Sequence, residues 1–189
     1  GVLEITPRKL VLQSSSKSKE YDGTILTEEE YAVSEGSLAD GQSEKVTFNA
    51  SLQNVGSMQN SFAAVIYASD GVTDVTSNYD LECLYGTLEV TPRPLKITTQ
   101  SGNKVYDGTA LTDSGYEITA GSVAEGQEAD IRVTGSITKV GKQENAVSVL
   151  IYDGGTDVTD NYRIEKETGT LEVTPRPLTI RVYDGTKAY

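Results

Sequence analysis

Two acidic turns in this chain, Asp70-Gly71-Val72-Thr73-Asp74 and Asp153-Gly154-Gly155-Thr156-Asp157-Val158-Thr159-Asp160, gather carboxylates and hydroxyls, the oxygen-rich setting that a calcium ion needs. Neither turn follows the EF-hand or the nonapeptide calcium pattern, and Asp, Thr and Asn are equally the residues of ordinary turns. Lysine and asparagine offer a second chemistry. Lys19 and Lys104, with Asn60 and Asn145 or Asn78 and Asn161, recur at matching places, and a Lys–Asn isopeptide bond needs those two side chains buried beside a carboxylate. Spacing does not show that they meet, and a buried lysine without a partner is costly. Cys83 is the single thiol, and Glu82 beside it opposes the positive surroundings that a reactive thiolate requires. Eleven tyrosines and no tryptophan offer ring faces that could stack on sugars. Acid–base catalysis near neutral pH has no histidine to use. There is no phosphate-cradling glycine loop and no cysteine cluster for a metal. Carboxylate pairs occur in any acidic chain and do not by themselves mark a site. We therefore assign no catalytic residue, no cofactor-binding residue, no metal ligand and no cofactor.

Most of these residues occur twice, because the chain repeats itself. Lys19-Glu20-Tyr21-Asp22-Gly23-Thr24 returns as Lys104-Val105-Tyr106-Asp107-Gly108-Thr109, and Gly86-Thr87-Leu88-Glu89-Val90-Thr91-Pro92-Arg93-Pro94-Leu95 returns unchanged from Gly169 to Leu178. The shift is 85 residues at Tyr21 and 83 at Leu88, too long for a solenoid turn and close to a small domain. Pro7 to Tyr21, Pro92 to Tyr106 and Pro175 to Tyr189 are each fourteen residues apart. This register predicts residues 1–7 as the tail of a preceding repeat, 8–92 and 93–175 as two whole repeat domains, and 176–189 as the head of a following repeat. The chain reads as a piece of a longer array. Tyr183-Asp184-Gly185 is out of phase and is a look-alike. Tyr21, Tyr31, Tyr67 and Tyr79 have counterparts in Tyr106, Tyr116, Tyr152 and Tyr162, a recurrence that a shared fold explains. Tyr85 and Tyr183 have none and are the better candidates for surface contact. The Tyr-Asp-Gly-Thr segments read either as ligand loops or as tight Asp-Gly turns beside a half-buried tyrosine; ordinary turn chemistry suffices for the second.

Composition narrows the function classes. The 189 residues carry a formal charge of −12. That argues against nucleic acid, which needs Lys and Arg along a backbone-tracking face, and against an anionic membrane surface. No apolar run is long enough to span a bilayer, so no membrane insertion is expected. A lone cysteine makes no internal disulfide and leaves the compartment open. Each repeat is large enough for one modest core.

The elements expected are strands. Leu10–Leu12, Val46–Leu52, Phe62–Tyr67, Tyr79–Leu84 and Leu88–Thr91 alternate or cluster β-branched and aromatic residues between Gly, Asn, Asp and Ser. In the second repeat the corresponding runs are Leu95–Thr98, Tyr116–Thr119, Ile131–Thr134, Val147–Tyr152, Tyr162–Glu165 and Leu171–Thr174. The fold class predicted is all-β, mainly antiparallel: two tandem small β-sandwich or β-grasp-like domains in an elongated array. Gly36–Gly41 and Gly121–Gly126 are the one place with room for a helical turn. Tyr79–Leu84 and Leu88–Thr91 are expected to form a hairpin around Gly86, with its repeat around Gly169, glycine supplying a positive φ. Thr-Pro-Arg-Pro-Leu runs straight from one repeat into the next, and each proline holds the chain extended. The chain should then enter and leave a repeat at opposite poles. If first and last strands are neighbours, they must run parallel.

The Tyr-Asp-Gly-Thr head, the Gly-x-x-x-x-Gly-Gln middle (Gly36 to Gln42, Gly121 to Gln127), the Asp-Val-Thr-x-Asn-Tyr turn (Asp74 to Tyr79, Asp157 to Tyr162) and the Gly-Thr-Leu-Glu-Val-Thr-Pro tail together resemble the YDG and MBG repeats. These stand in tandem in large bacterial surface proteins, often of Gram-positive gut Firmicutes. The resemblance spans both repeats. It implies a secreted or wall-attached, adhesin-like protein whose repeats form an extracellular stalk, and it implies no catalytic residue. Family members commonly carry Asp where Gln42 and Gln127 stand here. The expected function is a non-catalytic stalk module, monomeric, whose ligand is an unknown host or extracellular molecule met through regions outside this chain. The alternative is that the repeats themselves bind a host glycan or protein.

Overall fold

A computed structural model describes all 189 residues. The chain forms two compact units. One comprises Gly1–Arg93 together with Ala124–Gly126 and Asp160–Arg163; the other comprises Pro94–Val123, Gln127–Thr159 and Ile164–Tyr189.

The first repeat holds eight strands: β1 (Arg8–Ser14), β2 (Lys17–Glu20), β3 (Tyr31–Gly36), β4 (Ser43–Phe48), β5 (Gly56–Gln59), β6 (Phe62–Tyr67), β7 (Tyr79–Leu84) and β8 (Thr87–Thr91). They make three small sheets in the orders β3-β1-β7, β2-β8-β5 and β4-β6. The second repeat continues with β9 (Arg93–Thr99), β10 (Gly102–Val105), β11 (Tyr116–Gly121), β12 (Gln127–Val133), β13 (Gly141–Glu144), β14 (Val147–Asp153), β15 (Thr156–Asp157), β16 (Tyr162–Glu167) and β17 (Thr170–Thr174). Its sheets repeat the plan as β11-β9-β16, β10-β17-β13 and β12-β14-β15. The fold is all-β, most pairs are antiparallel, and no sheet closes into a barrel. No helix is long and apolar enough to cross a membrane.

The core follows from side-chain alternation. β8 buries Leu88 and Val90 and exposes the residues between them, and β14 does the same with Val147, Val149 and Ile151. In the first unit Leu10 and Leu12 of β1 and Tyr79 of β7 meet Phe62 and Ile66 of β6, with Val46 and Phe48 of β4 packed alongside. Two layers therefore close on one another, as in a small sandwich.

The opening strands lie beside the closing ones. β1 pairs with β7 in parallel from Arg8↔Tyr79 to Gln13↔Leu84, and β2 pairs with β8 in parallel from Lys17↔Leu88 to Glu20↔Thr91. β10 and β17 repeat this. The first repeat thus begins at one end of its parallel ladder and finishes at the other.

Four expectations are corrected. β7 and β8 are not a hairpin: they do not pair with each other and belong to different sheets, β7 beside β1 and β8 beside β2. Gly86 and Gly169 do not have positive φ. They are glycine because a Cβ at Gly86 would lie 2.4 Å from the carbonyl oxygen of Ser15, and one at Gly169 2.3 Å from that of Gln100. Gly36–Gly41 and Gly121–Gly126 form no helical turn. Gly36 and Gly41 hold φ of 81° and 76°, outside the right-handed helical region, and the Ala39 amide donates instead to the Tyr79 hydroxyl. The short 3₁₀ turns fall at Thr76–Asn78 and Thr159–Asn161. Last, the strand expected over Val46–Leu52 ends at Phe48; the Asn49 amide gives one more bond in register to the Ser61 carbonyl, and the Ser61 hydroxyl donates to the Asn49 side chain.

Candidate functional site

The Tyr-Asp-Gly-Thr segments are turns locked by a lysine. Gly23 supplies a φ of 82°, and Asp22 Oδ1 accepts the Thr24 amide at 2.8 Å and the Thr24 hydroxyl at 2.7 Å. Lys19 closes the turn from three residues upstream. Its Nζ donates to Asp22 Oδ1 at 2.6 Å, Thr24 Oγ1 at 2.6 Å and the Thr24 carbonyl at 2.8 Å, the full donor capacity of an ammonium. Lys104 does the same with Asp107 and Thr109 at 2.7–2.8 Å. The lysine and the Thr24 donors hold the Asp22 carboxyl down at about 2, and Asp107 is lowered by the same partners. The expectation of a half-buried tyrosine fits neither copy: Tyr21 is 1% exposed and Tyr106 41%.

A second constellation ties the places where strands pass from one sheet to the next. Asn60, fully buried, donates its amide to the carbonyls of Ser15 and Glu28, each at 3.0 Å. Its backbone N–H donates to the Gly86 carbonyl at 2.9 Å. The Ser14 hydroxyl donates to the Asn60 carbonyl at 2.7 Å and accepts the Gly86 amide at 2.9 Å. One asparagine so fastens the β1–β2, β5–β6 and β7–β8 junctions to the segment leading into β3. Asn145 repeats the knot with Gln100, Asp113, Thr99 and Gly169. The Oδ1 atoms of Asn60 and Asn145 are buried without a partner in both copies. Gly135 is held to its size by this packing, since a Cβ there would sit 2.3 Å from Asn145 Oδ1.

These two arrangements keep the isopeptide partners apart. Lys19 and Lys104 are held in their turns, while Asn60 and Asn145 give both amide hydrogens to backbone carbonyls. Asn78 is exposed.

The acidic turns use their oxygens locally. Asp70 accepts from the amides of Val72 and Thr73, each at 2.9 Å, and from the Thr73 hydroxyl at 2.6 Å, which brings its carboxyl down to about 2. Asp74 and Asp157 cap the Thr76 and Thr159 amides, and those threonine hydroxyls accept the Ile66 and Ile151 amides. No group of three or more His, Cys, Asp or Glu is placed to hold a metal.

Gln42, at the position where the resembled family carries Asp, accepts a hydrogen bond from the Tyr79 hydroxyl. Tyr85 lies edge-on to Phe62 at 5.4 Å and is 40% exposed; Tyr183 lies in the strandless segment after Thr174. Cys83 is on β7, an edge strand, and burial pushes its thiol up, against thiolate chemistry. The roles of Lys19 and Asn60 are the ones that sequence reasoning missed. Lysine three residues before each Asp-Gly-Thr was a visible signal; the partners of Asn60, 45 and 32 residues away, left none.

Compared with protein-family models, with curated proteins and with solved structures, the chain finds no match.

Proposed function

We propose that the chain is a non-catalytic stalk module of a bacterial surface, adhesin-like protein, built from repeats of the YDG/MBG type and bearing load outside the cell. The parallel pairing of opening with closing strands carries this reading: β1 with β7, β2 with β8, and β10 with β17. Tension on the two ends of such a repeat draws paired strands in opposite directions along their length. Every ladder hydrogen bond then resists at once, whereas a hairpin pulled at its ends opens one pair at a time. The Asn60 knot adds cross-ties to the same ladders. A formal charge of −12 favours solubility of an extended array. The recurring pairs Lys19 and Lys104, and Asn60 and Asn145, serve turns and junctions, as a spacer requires.

Single-molecule pulling on the chain's ends tests this. Discrete force peaks are expected, each releasing about 300 Å of chain, the extended length of one repeat. Pulling between positions 20 and 91, which lie side by side, peels β2 from β8 and should need less force. Equal rupture forces in the two geometries would sink the load-bearing reading. An export signal upstream and a wall-sorting motif downstream in the encoding gene are the expected companions of this module.

A further inference from the structure

We infer that the surface around Tyr106 and Val140 is a docking face for the paired turns of a further repeat of this sequence. This rests on the repeat-module reading but not on its mechanical role. The first unit shows the same face occupied. There the Tyr162 ring stands edge-on to Tyr21, with centroids 5.6 Å apart and planes at 76°. Asn161 Oδ1 accepts the Val55 amide at 2.8 Å, and Asn161 Nδ2 donates to Asn54 Oδ1 at 3.2 Å. Tyr21 is 1% exposed, Asn161 6% and Ala124 5%.

The counterparts of the acceptor residues are bare. Tyr106 is 41% exposed and Val140, at the place of Val55, is 51% exposed. The counterparts of the seated turns are likewise uncovered: Asn78 is exposed and Ala39 half-buried. Identical residue types, Tyr21 and Tyr106 on one side, Asn161 and Asn78 on the other, thus differ in burial according to whether a partner is seated. An exposed tyrosine with a ready hydrogen-bonding backbone beside it is the usual make-up of an interface centre. The occupant is the Gly-Ser-x-Ala and Asp-Val-Thr-x-Asn-Tyr turns of another repeat, and the contact is head-to-tail, so it propagates along an array. Lys139 stands where Asn54 does, and its positive charge is opposite to that of Asp40 and Asp80, which flank those turns in the first repeat.

The test extends the full chain. Residues 176–189 match the segment ending at Tyr21, so adding a copy of residues 22–92 after Tyr189 completes one more repeat in phase. Amide exchange at Val140, whose counterpart Val55 gives its amide to Asn161, should slow by at least about tenfold in the extended chain. Tyr21→Ala should lower the melting temperature of the chain as it stands while Tyr106→Ala leaves it unchanged; in the extended chain Tyr106→Ala should lower it too. Unchanged exchange at Val140, or a Tyr106→Ala effect that is the same in both chains, overturns the docking face. Those outcomes leave the pulling experiment untouched, so the two readings fail separately.

Discussion

Asn60 holds four chain segments with one side chain, and its substitution is the sharpest probe of that knot. Asn60→Ala removes the donors to the Ser15 and Glu28 carbonyls and leaves two acceptors unpaired, a loss of about 2–4 kcal/mol. Urea denaturation measures it; a change under about 1 kcal/mol would show that the knot is incidental. Lys19 acts on a titration. With Asp22 held at about 2 in the fold against an ordinary 3.8, the unfolded chain binds a proton before the folded one does. The turn's contribution is therefore complete above about pH 4 and is lost as pH falls through about 2. In Lys19→Met, carboxyl titration by NMR should move Asp22 back toward the ordinary value, and the stability gap between pH 7 and pH 3 should narrow. At this level the sequence was half legible. Asp-Gly-Thr announces a turn through local chemistry, but which lysine closes it depends on β2 carrying Lys19 to the same spot, and Asn60 depends on partners brought from afar by the sheets.

Among the strands, the apolar ones could be read directly. Phe62–Tyr67 and Tyr79–Leu84 have the bounds that their alternating side chains indicate. β2, β5, β10 and β13 went unread because Lys-Ser-Lys-Glu, Gly-Ser-Met-Gln, Gly-Asn-Lys-Val and Gly-Lys-Gln-Glu show no buried face; they are strands because β8 and β17 offer them backbone partners. The proline joint implies that first and last strands run parallel if they are neighbours; that they are neighbours is seen only in the sheets. The mistaken hairpin came from Gly86, since a glycine in sequence does not say whether it serves a positive φ or a close approach. Two substitutions separate those uses. Gly71→Ala meets nothing within 4 Å and bears only the strain of φ near 69°, about 1–2 kcal/mol. Gly86→Ala drives a methyl into the Ser15 backbone, which no rotamer can relieve, and should prevent cooperative folding of the first repeat. Comparable melting curves for the two variants would refute this account of Gly86. Leu12→Ala, in the centre of β1 and fully buried, should cost about 2–5 kcal/mol by calorimetry.

The charge of the entire chain sets its behaviour in acid. Neutrality falls near pH 4.4, where mutual repulsion between chains vanishes and turbidity should peak. Asp22 and Asp70, both near 2, are still ionised there, so the precipitate should keep its β-sheet infrared signature; a precipitate without it would place acid unfolding ahead of charge loss. No sheet draws strands from both repeats, while β1 sits in the middle of its own sheet between β3 and β7. Genetic exchange between the identical Gly86–Leu95 and Gly169–Leu178 stretches adds or removes one whole period and leaves each strand its full set of neighbours. A deletion that removes β1 or β2 alone leaves β7 or β8 without the partner it lies beside. Copy number is thereby free to drift while differences in copy length, such as the two residues between these repeats, are absorbed in turns outside the ladders.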